Sequence, residues 1–244
     1  MNLKSNLLFF FTVYLYAQTS FGQLASPVSS KIDGSFIKPY TNQWKTTRID
    51  QNGKKTLIYK LWTDYGQVIT LDGVKYFHRV QDLYNASGQI VDTWTNLVDH
   101  RTLLPKMTHR ISPNGRFMHV NFSSDKIQGR KPKAAQGITS TEVNIEIQKP
   151  LYDWTLYGIL LVGLPFESNT SHTLDCIDLF SGKEISLKAS IKTKETVTGA
   201  QGQKVKAWRV ETNQNMVFWL TKKAPYVIRL EYKVGGATLI WEML

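Results

Sequence analysis

The chain has 244 residues, of which 42% are hydrophobic and 20% charged, with a formal net charge of +11 and a single cysteine. This length and composition indicate a globular protein with a substantial core and argue against disorder. The lone cysteine excludes an internal disulfide. The excess of positive charge favours anionic partners such as lipid headgroups, acidic glycans or nucleic acid.

The N-terminal segment has the pattern of a secretory signal peptide. Lys4 supplies a positive charge, residues 7–17 form an apolar stretch too short to span a membrane, and small residues at Ser20 and Gly22 suit a signal peptidase. We therefore expect residues 1–22 to be removed by cleavage near Gly22. The mature protein would be exported to the periplasm or secreted, without a transmembrane segment. Export makes nucleic acid an unsuitable partner.

After an extended lead-in over residues 23–43, most of the chain alternates apolar and polar residues, as β-strands do. The strands predicted before the middle of the chain cover 44–50, 54–63, 66–71, 74–84, 89–98, a hairpin over 106–123, and 141–148. Those predicted afterwards cover 173–180, 184–198, 204–212, 216–221 and 226–234, followed by a final hairpin. The pattern predicts a mainly β protein with a single domain over residues 44–244.

Two hairpins have a register that their turn residues define. The sequence Ser-Pro-Asn-Gly at 112–115 predicts a type I turn with a bulge, which places His109 opposite His119. Two imidazoles on one face could share a metal, but no acidic or cysteine ligand lies at a supporting spacing. We interpret them as surface histidines and predict neither a metal nor a cofactor. The glycines at 235–236 predict a tight hairpin that pairs Leu230 with Trp241.

One apolar run does not alternate, and it lies between Pro150 and Pro165. Its apolar residues at 154, 157, 160, 161 and 164 follow a period of 3.6 residues, and Asp153 is a good N-cap. These features predict a short helix over 153–163, buried all round, that joins two halves of one curved sheet. The helix would fill the concave side of the sheet and leave a modest gap beside Trp154 and Tyr157.

Several short motifs carry a family resemblance. They are Thr-Leu-Leu-Pro at 102–105, Val-Lys-Ala-Trp-Arg-Val at 205–210, Phe-Trp-Leu at 218–220, Pro225 with Arg229, and the glycine hairpin. Together they resemble an exported Gram-negative, Bacteroidetes-like family known only as a domain of unknown function. The resemblance implies a curved antiparallel sheet of the half-barrel or mattress kind, similar to periplasmic lipoprotein carriers, with no established activity or catalytic residues. From the strand pattern alone, a sandwich remains an alternative.

The sequence contains no motif that identifies a reaction. There is no Gly-x-Ser-x-Gly, His-Glu-x-x-His, phosphate-binding glycine loop or Cys-x-x-Cys. An enzyme is therefore disfavoured without being excluded. The favoured function is a binding or carrier protein for an amphiphilic or anionic ligand, a lipid or an acidic glycan, in the cell envelope. The alternatives are a scaffold or assembly factor that acts through protein contacts and, less favoured, a hydrolase. The oligomeric state is left open.

Two groups of residues are candidates for binding. The aromatic candidates could line a concave surface that takes a lipid chain or stacks on sugar rings, although aromatic residues in β proteins more often form the core. They are Trp62, Trp94, Trp154, Tyr157, Trp208 and Trp219. The candidates for an anionic partner are Lys126, Arg130, Lys131 and Lys133. With Gly129, Pro132 and Gly137 nearby, their segment is interpreted as a solvated loop.

Overall fold

The computed structural model describes residues 32–133 and 139–244. The strands of the first half of the chain are β1 (Tyr40–Ile49), β2 (Lys55–Leu71), β3 (Val74–Tyr84), β4 (Ile90–Asp99), β5 (Pro105–Ile111), β6 (Phe117–Phe122), β7 (Lys126–Pro132) and β8 (Ser140–Glu146). Those of the second half are β9 (Tyr152–Asp153), β10 (Thr170–Asp178), β11 (Lys183–Thr198), β12 (Lys204–Thr212), β13 (Met216–Leu220), β14 (Val227–Val234) and β15 (Ala237–Met243).

These strands form one open, curved sheet, so the mainly β prediction is confirmed and the sandwich alternative is wrong. Their order is β8-β7-β6-β5-β4-β3-β2-β1-β15-β14-β13-β12-β11-β10-β9. Neighbours are antiparallel except β9 and β10, which are parallel. The first and last strands pair in the middle, with Trp44 opposite Met243. Two meanders thus meet at this central pairing.

The sheet curls until its two outer parts pack against each other through side chains. Met118 and Val120 of β6 and Val143 of β8 share a buried cluster with Ile177 of β10. Lys131 Nζ adds a hydrogen bond of 3.1 Å to the carbonyl of Leu179. The concave side is therefore enclosed nearly all round, and residues that point inward from opposite parts of the sheet can contact one ligand.

A short helical segment occupies this concave side, as predicted. A 3₁₀ turn (Trp154–Leu156) is followed by α1 (Tyr157–Val162). The carboxylate of Asp153 accepts a hydrogen bond from the backbone N–H of Thr155 at 2.8 Å, which confirms the predicted N-cap. Seven of the nine helical residues are buried, whereas Trp154 and Tyr157 are half-buried. In the described part of the chain, no helix is long and apolar enough to cross a membrane.

Most hairpin turns lie at one end of the curled sheet, and the helix lies towards the other. The strands alternate in direction, so one end of the sheet carries six turns and the adjoining ends of β7 and β8; we call it the hairpin end. The six turns are β1–β2, β3–β4, β5–β6, β10–β11, β12–β13 and β14–β15. The helix lies towards the opposite end: the backbone N–H of Asp33 donates to the carbonyl of Gly163, and Lys222, in the β13–β14 turn, donates to the carbonyl of Val162. The helix therefore forms a floor beneath the hairpin end.

Two turn predictions are confirmed in detail. The backbone N–H of Ser112 donates to Arg116, and His109 pairs with His119. Leu230 pairs with Trp241 across the last hairpin.

Two local predictions are wrong. The strands predicted at 54–63 and 66–71 are one continuous strand, β2. Gly66 lies inside this strand, where a side chain would not fit because a Cβ would lie 2.5 Å from the ring of Phe77. The basic segment interpreted as a loop is strand β7, paired with β6 and β8. Gly129 suits this strand because a Cβ would lie 2.0 Å from the carbonyl oxygen of His119. The predicted signal peptide over 1–22, residues 23–31 of the lead-in predicted over 23–43, and Gly137 lie outside the described residues.

Candidate functional site

A cavity of about 370 Å³ lies between the helix and the hairpin end. Its wall comes from inward-facing positions of strands on both sides of the β1–β15 pairing, together with the start of the helix. Its volume falls in the range of small-molecule pockets. The lining residues are Trp44, Thr46, Ile58, Tyr59, Trp62, Arg79, Gln81, Leu83, Asp92, Trp94, Arg110, Thr155, Tyr157, Gly158, Phe180, Met216, Phe218, Val227, Leu230, Tyr232, Leu239 and Trp241.

Aromatic rings form a large part of this wall. Trp62 is central among them: its ring contacts Trp44, Tyr59 and Trp241 edge-on, with centroids 6.4, 5.8 and 5.9 Å apart. The period-two alternation of the strands explains the gathering, because β1 pairs with both β2 and β15 and presents Trp44 between them. Edge-to-face contacts of this kind stabilise the arrangement of the rings, and the rings make this part of the wall apolar.

One cation lies on the side of the cavity near the hairpin end. The guanidinium of Arg110 stacks over the ring of Trp94 at 4.7 Å and over Phe180 at 5.5 Å. Arg110 Nε donates to both carboxylate oxygens of Asp92 at 2.9 Å, and the hydroxyl of Ser112 donates to the same carboxylate at 2.8 Å. Nη1 of Arg110 makes no hydrogen bond to any described residue. It remains available to an anionic group of a ligand.

The deeper part of the cavity contains a second guanidinium, but this one is fully engaged. Arg79 forms a buried ion pair with Asp64 and donates to the carbonyl of Leu156 at 2.9 Å. With its side-chain oxygen turned towards them, Gln81 accepts hydrogen bonds from Trp62 Nε1 at 3.0 Å and from Arg79 Nη2 at 3.1 Å. This network stabilises the wall, and it leaves Arg79 with little capacity to bind a ligand.

Two buried polar atoms of the lining have no partner. Thr46 Oγ1 and Trp241 Nε1 make no hydrogen bond to any residue in 32–133 or 139–244. Their residues face each other across the β1–β15 pairing, and Thr46 is completely buried. Because an unpaired buried donor is unfavourable, a polar atom of a ligand at this place would gain two hydrogen bonds.

Tyr157 enters the cavity from a strained part of the backbone. Its φ is 41° and its ψ is −126°, an uncommon conformation for a residue with a side chain. Burial, and secondarily the carboxylate of Asp153, raises the pKa of Tyr157 to about 12, so its phenol stays protonated at neutral pH. Next to it, Gly158 leaves room for the wall, because a Cβ there would lie 2.7 Å from Val227 Cγ2.

The structure places the six aromatic candidates in different surroundings. Trp62, Trp94 and Tyr157 line the cavity. Trp154 packs into the main core behind Tyr157. Trp208 lies against Phe166, with ring centroids 5.8 Å apart. Trp219 belongs to a separate small cluster and donates a hydrogen bond to Glu195. The gap therefore lies beside Tyr157 and not beside Trp154.

The basic candidates do not form a single site. Lys126 lies at the start of β7, whereas Lys131 lies near its end and donates to the carbonyls of Leu179 and Phe180 at the hairpin end. Lys131 is thus occupied by structural hydrogen bonds, and of the four candidates only Arg130 and Lys133 are exposed.

The histidine pair has the predicted register but no supporting ligands. The rings of His109 and His119 are 5.7 Å apart, and burial together with the charge of His119 lowers the pKa of His109. Within the described ranges, no three His, Cys, Asp or Glu side chains are arranged to hold a metal ion.

Sequence reasoning did not single out several residues that now matter most. Trp44, Trp241, Arg110 and Thr46 all line the cavity, yet none was a candidate. Counting the period-two alternation back from the predicted Leu230–Trp241 pair would have placed Trp241 on an inward face. Arg110 could not be found in this way, because its role depends on Phe180, which is distant in sequence.

Comparison with known proteins gives a family and two structural likenesses. A search of curated protein sequences finds no significant match. The crystal structure of a beta-barrel-like protein of domain of unknown function DUF1849 from Brucella abortus is 10% identical, with 85% of this chain and 96% of that chain covered and a TM-score of 0.39. The crystal structure of a candidate lipoprotein from Parabacteroides distasonis is 14% identical, with 88% of this chain and 99% of that chain covered and a TM-score of 0.33.

These two likenesses are too weak to support an argument about function. The family match is much more extensive, because it includes nearly the whole sheet from β1 to β15. The chain belongs to the family described as "Protein of unknown function (DUF3108)", whose profile matches residues 44–240.

Proposed function

We propose that this protein binds an amphiphilic molecule, with the apolar chain of the ligand in the cavity and its anionic group beside Arg110. The observation that carries the proposal is the combination of an aromatic, largely apolar wall with one cation that retains a free N–H. Ligand sites of this kind are mostly apolar, with few polar groups that fix the orientation of the ligand. The signal-peptide pattern of residues 1–22 supports a role in the cell envelope.

The interior supports a lipid chain over a sugar. A glycan would stack on an exposed tryptophan over an open groove, but each of the seven tryptophans is buried or half-buried. Four of them, Trp44, Trp62, Trp94 and Trp241, face the cavity, where they would contact an alkyl chain.

The lining supports binding over hydrolysis. Among the described residues that line the cavity, Asp92 is the one carboxylate, and no histidine or cysteine accompanies it. Arg110 holds that carboxylate in an ion pair and the hydroxyl of Ser112 also donates to it, so its oxygens are already engaged by the protein.

The proposal can be tested with a dansylated fatty acid as the probe. Four tryptophans of the wall would transfer excitation energy to a dansyl group in the cavity, so saturable transfer should appear on titration. Laurate should displace the probe, whereas dodecanol, which has no charge to pair with Arg110, should displace it less well. Native mass spectrometry of protein purified from its host should also show a bound amphiphile.

Matched variants distinguish probe binding in the cavity from probe binding elsewhere on the protein. Ile58→Trp would place a bulky ring in the cavity and is expected to reduce probe affinity about tenfold. Val217→Trp adds the same side chain at a half-buried position outside the cavity and should leave affinity unchanged. Asp92→Asn with Arg110→Gln removes both charges and should abolish the preference for laurate over dodecanol. Equal binding by wild type and Ile58→Trp would overturn the proposal.

A further inference from the structure

Exposed apolar side chains are distributed around the hairpin end of the sheet. Each belongs to a different hairpin, and each is 42–50% exposed: Leu57, Ile90, Ile111, Phe180 and Val234. We call these five residues the apolar ring. Towards the opposite end, the exposed large apolar residues of the described chain are Leu71 and Val74, which flank one turn, and Tyr65 within β2.

The order of the strands shows that the five residues surround the cavity. Ile111, Ile90, Leu57 and Val234 lie on β5, β4, β2 and β14, and Phe180 follows β10. The ring of Phe180 contacts Trp94 of β4 at 5.9 Å, which closes the circle. From strand spacings of about 4.8 Å, neighbouring members are separated by about 5 to 20 Å.

Lysines lie between these apolar residues. The exposed lysines of the hairpin end are Lys54, Lys55, Lys133, Lys183 and Lys233. Two nearby carboxylates accept hydrogen bonds within their own turns. Asp50 accepts from the backbone N–H of Lys54, and Asp178 accepts from the hydroxyl of Ser181. Glu142 and Glu184 are exposed carboxylates at this end as well. The five lysines outnumber them, so the surface is cationic as well as apolar.

We propose that the hairpin end docks on an anionic lipid surface, with the apolar ring inserted among the headgroups and the lysines beside lipid phosphates. Apolar side chains flanked by lysines are the features by which proteins bind membrane interfaces. Part of the argument rests on the proposed cavity function, because the docked orientation would point the cavity towards the bilayer. Docking itself needs no ligand in the cavity.

The spacing of the apolar ring favours a lipid surface over a protein partner. Stable protein interfaces bury a contiguous area of about 800 Å² on each partner around an apolar centre. Here the apolar side chains are separated, and the centre of the circle is the cavity itself. A fluid lipid surface accepts separated side chains, since each can enter between headgroups without a complementary pocket.

Vesicle flotation tests the proposal directly. Wild-type protein should float with vesicles rich in phosphatidylglycerol, bind pure phosphatidylcholine weakly and lose binding as salt is raised. Leu57→Ser with Ile111→Ser and Val234→Ser should reduce the partition coefficient at least about tenfold. The matched variant Leu71→Ser with Val74→Ser, at the opposite end, should bind like the wild type. Comparison of variants removes any contribution of the N-terminal segment.

Charge-reversal variants compare the contributions of the two ends to vesicle binding. This comparison is needed because both ends carry lysines. Lys54→Glu with Lys55→Glu should weaken binding about tenfold or more, whereas Lys204→Glu with Lys206→Glu should have a smaller effect. Equal losses at both ends, or a wild type that ignores anionic vesicles, would overturn the proposal. So would hairpin-end variants that change only the association with another protein.

The two proposals can fail separately. If Ile58→Trp loses probe binding but still floats with anionic vesicles as the wild type does, the result supports both the cavity function and the docking proposal. Flotation without any probe binding would overturn the cavity function and retain docking, and probe binding without flotation would do the reverse.

Discussion

Arg79 and Asp64 form a buried, bidentate ion pair that connects the sheet to the helix. Arg79 Nε and Nη2 lie 2.8 and 2.7 Å from the two carboxylate oxygens, and the side chains are 3% and 0% exposed. The third nitrogen, Nη1, donates to the carbonyl of Leu156 in the 3₁₀ turn. Arg79 therefore fixes the start of the helix against β2 and β3.

Arg79→Met should destabilise the protein strongly, because it leaves the Asp64 carboxylate buried without a cation. We expect a loss of about 3–5 kcal/mol in the free energy of unfolding, measured by urea denaturation. Adding Asp64→Asn should restore part of this loss. As a control, Lys45→Met removes an exposed pair with Glu242 at 3.9 Å and should cost less than about 1 kcal/mol. Similar losses in both single variants would contradict the assigned role of Arg79.

Asp153→Ala should also be severe, because this carboxylate organises polar groups from the sheet and the helix. It is completely buried and accepts hydrogen bonds from the hydroxyl of Thr108, the amide of Asn96 and the backbone of Thr155. Leaving these donors unpaired should cost about 2–4 kcal/mol in urea denaturation. Asp175→Ala, which removes a partly exposed pair with Lys149, should have little effect.

Gly158→Ala tests how closely the helix approaches the strands. The added Cβ would lie 2.7 Å from Val227 Cγ2 and 3.2 Å from Phe218 Cδ1. The helix or the strands must shift, so we expect a loss of about 1–3 kcal/mol. Thermal denaturation is a suitable measurement, and an unchanged midpoint would show that the helix is free to move away from the wall.

Lys222 should make stability depend on pH in a defined window. Burial lowers the pKa of Lys222 to about 8, although Asp33 partly opposes the shift. Between pH 8 and the ordinary pKa of 10.5, the unfolded chain keeps a proton that the folded protein has lost. The unfolded state then binds more protons, so the free energy of unfolding should rise with pH in this window.

Measuring wild type against Lys222→Met from pH 7 to 10 isolates this contribution. The difference should stay constant below pH 8 and then increase in favour of the wild type as the pH rises. Lys223→Met, at the exposed neighbouring position, should show no such trend. A flat difference for Lys222→Met would mean that the folded amine keeps its proton.

The sequence was a good guide to local structure. Asp153 marks the N-cap, the turn at 112–115 sets the His109–His119 register, and the alternation defines most strands, because each feature depends on residues close together in the chain. The basic segment was misinterpreted for a related reason. A glycine in a basic segment with a nearby proline predicts a loop, whereas Gly129 allows β7 to pass close to the backbone of His119.

The cavity was far less accessible from sequence. Its wall combines Trp44 with Trp241, and Arg110 with Phe180, and these pairs meet only because the sheet curls. An aromatic residue in a strand carries no local mark of whether it faces a filled core or a cavity. Trp62 and Trp208 therefore had equal standing as candidates, although only Trp62 lines the cavity.

The pairing of β1 with β15 determines when the sheet can be completed. Each meander can form early from hairpins between neighbours in the chain, but the central pairing joins Trp44 to Met243, almost the full length of the described chain apart. The two halves therefore cannot form one continuous sheet until the last strand is in place. Until then, β1 presents an unpaired edge that could pair with another molecule. The aromatic wall around Trp62 and Trp241 depends on this pairing, so we expect it to be among the last parts of the protein to become ordered.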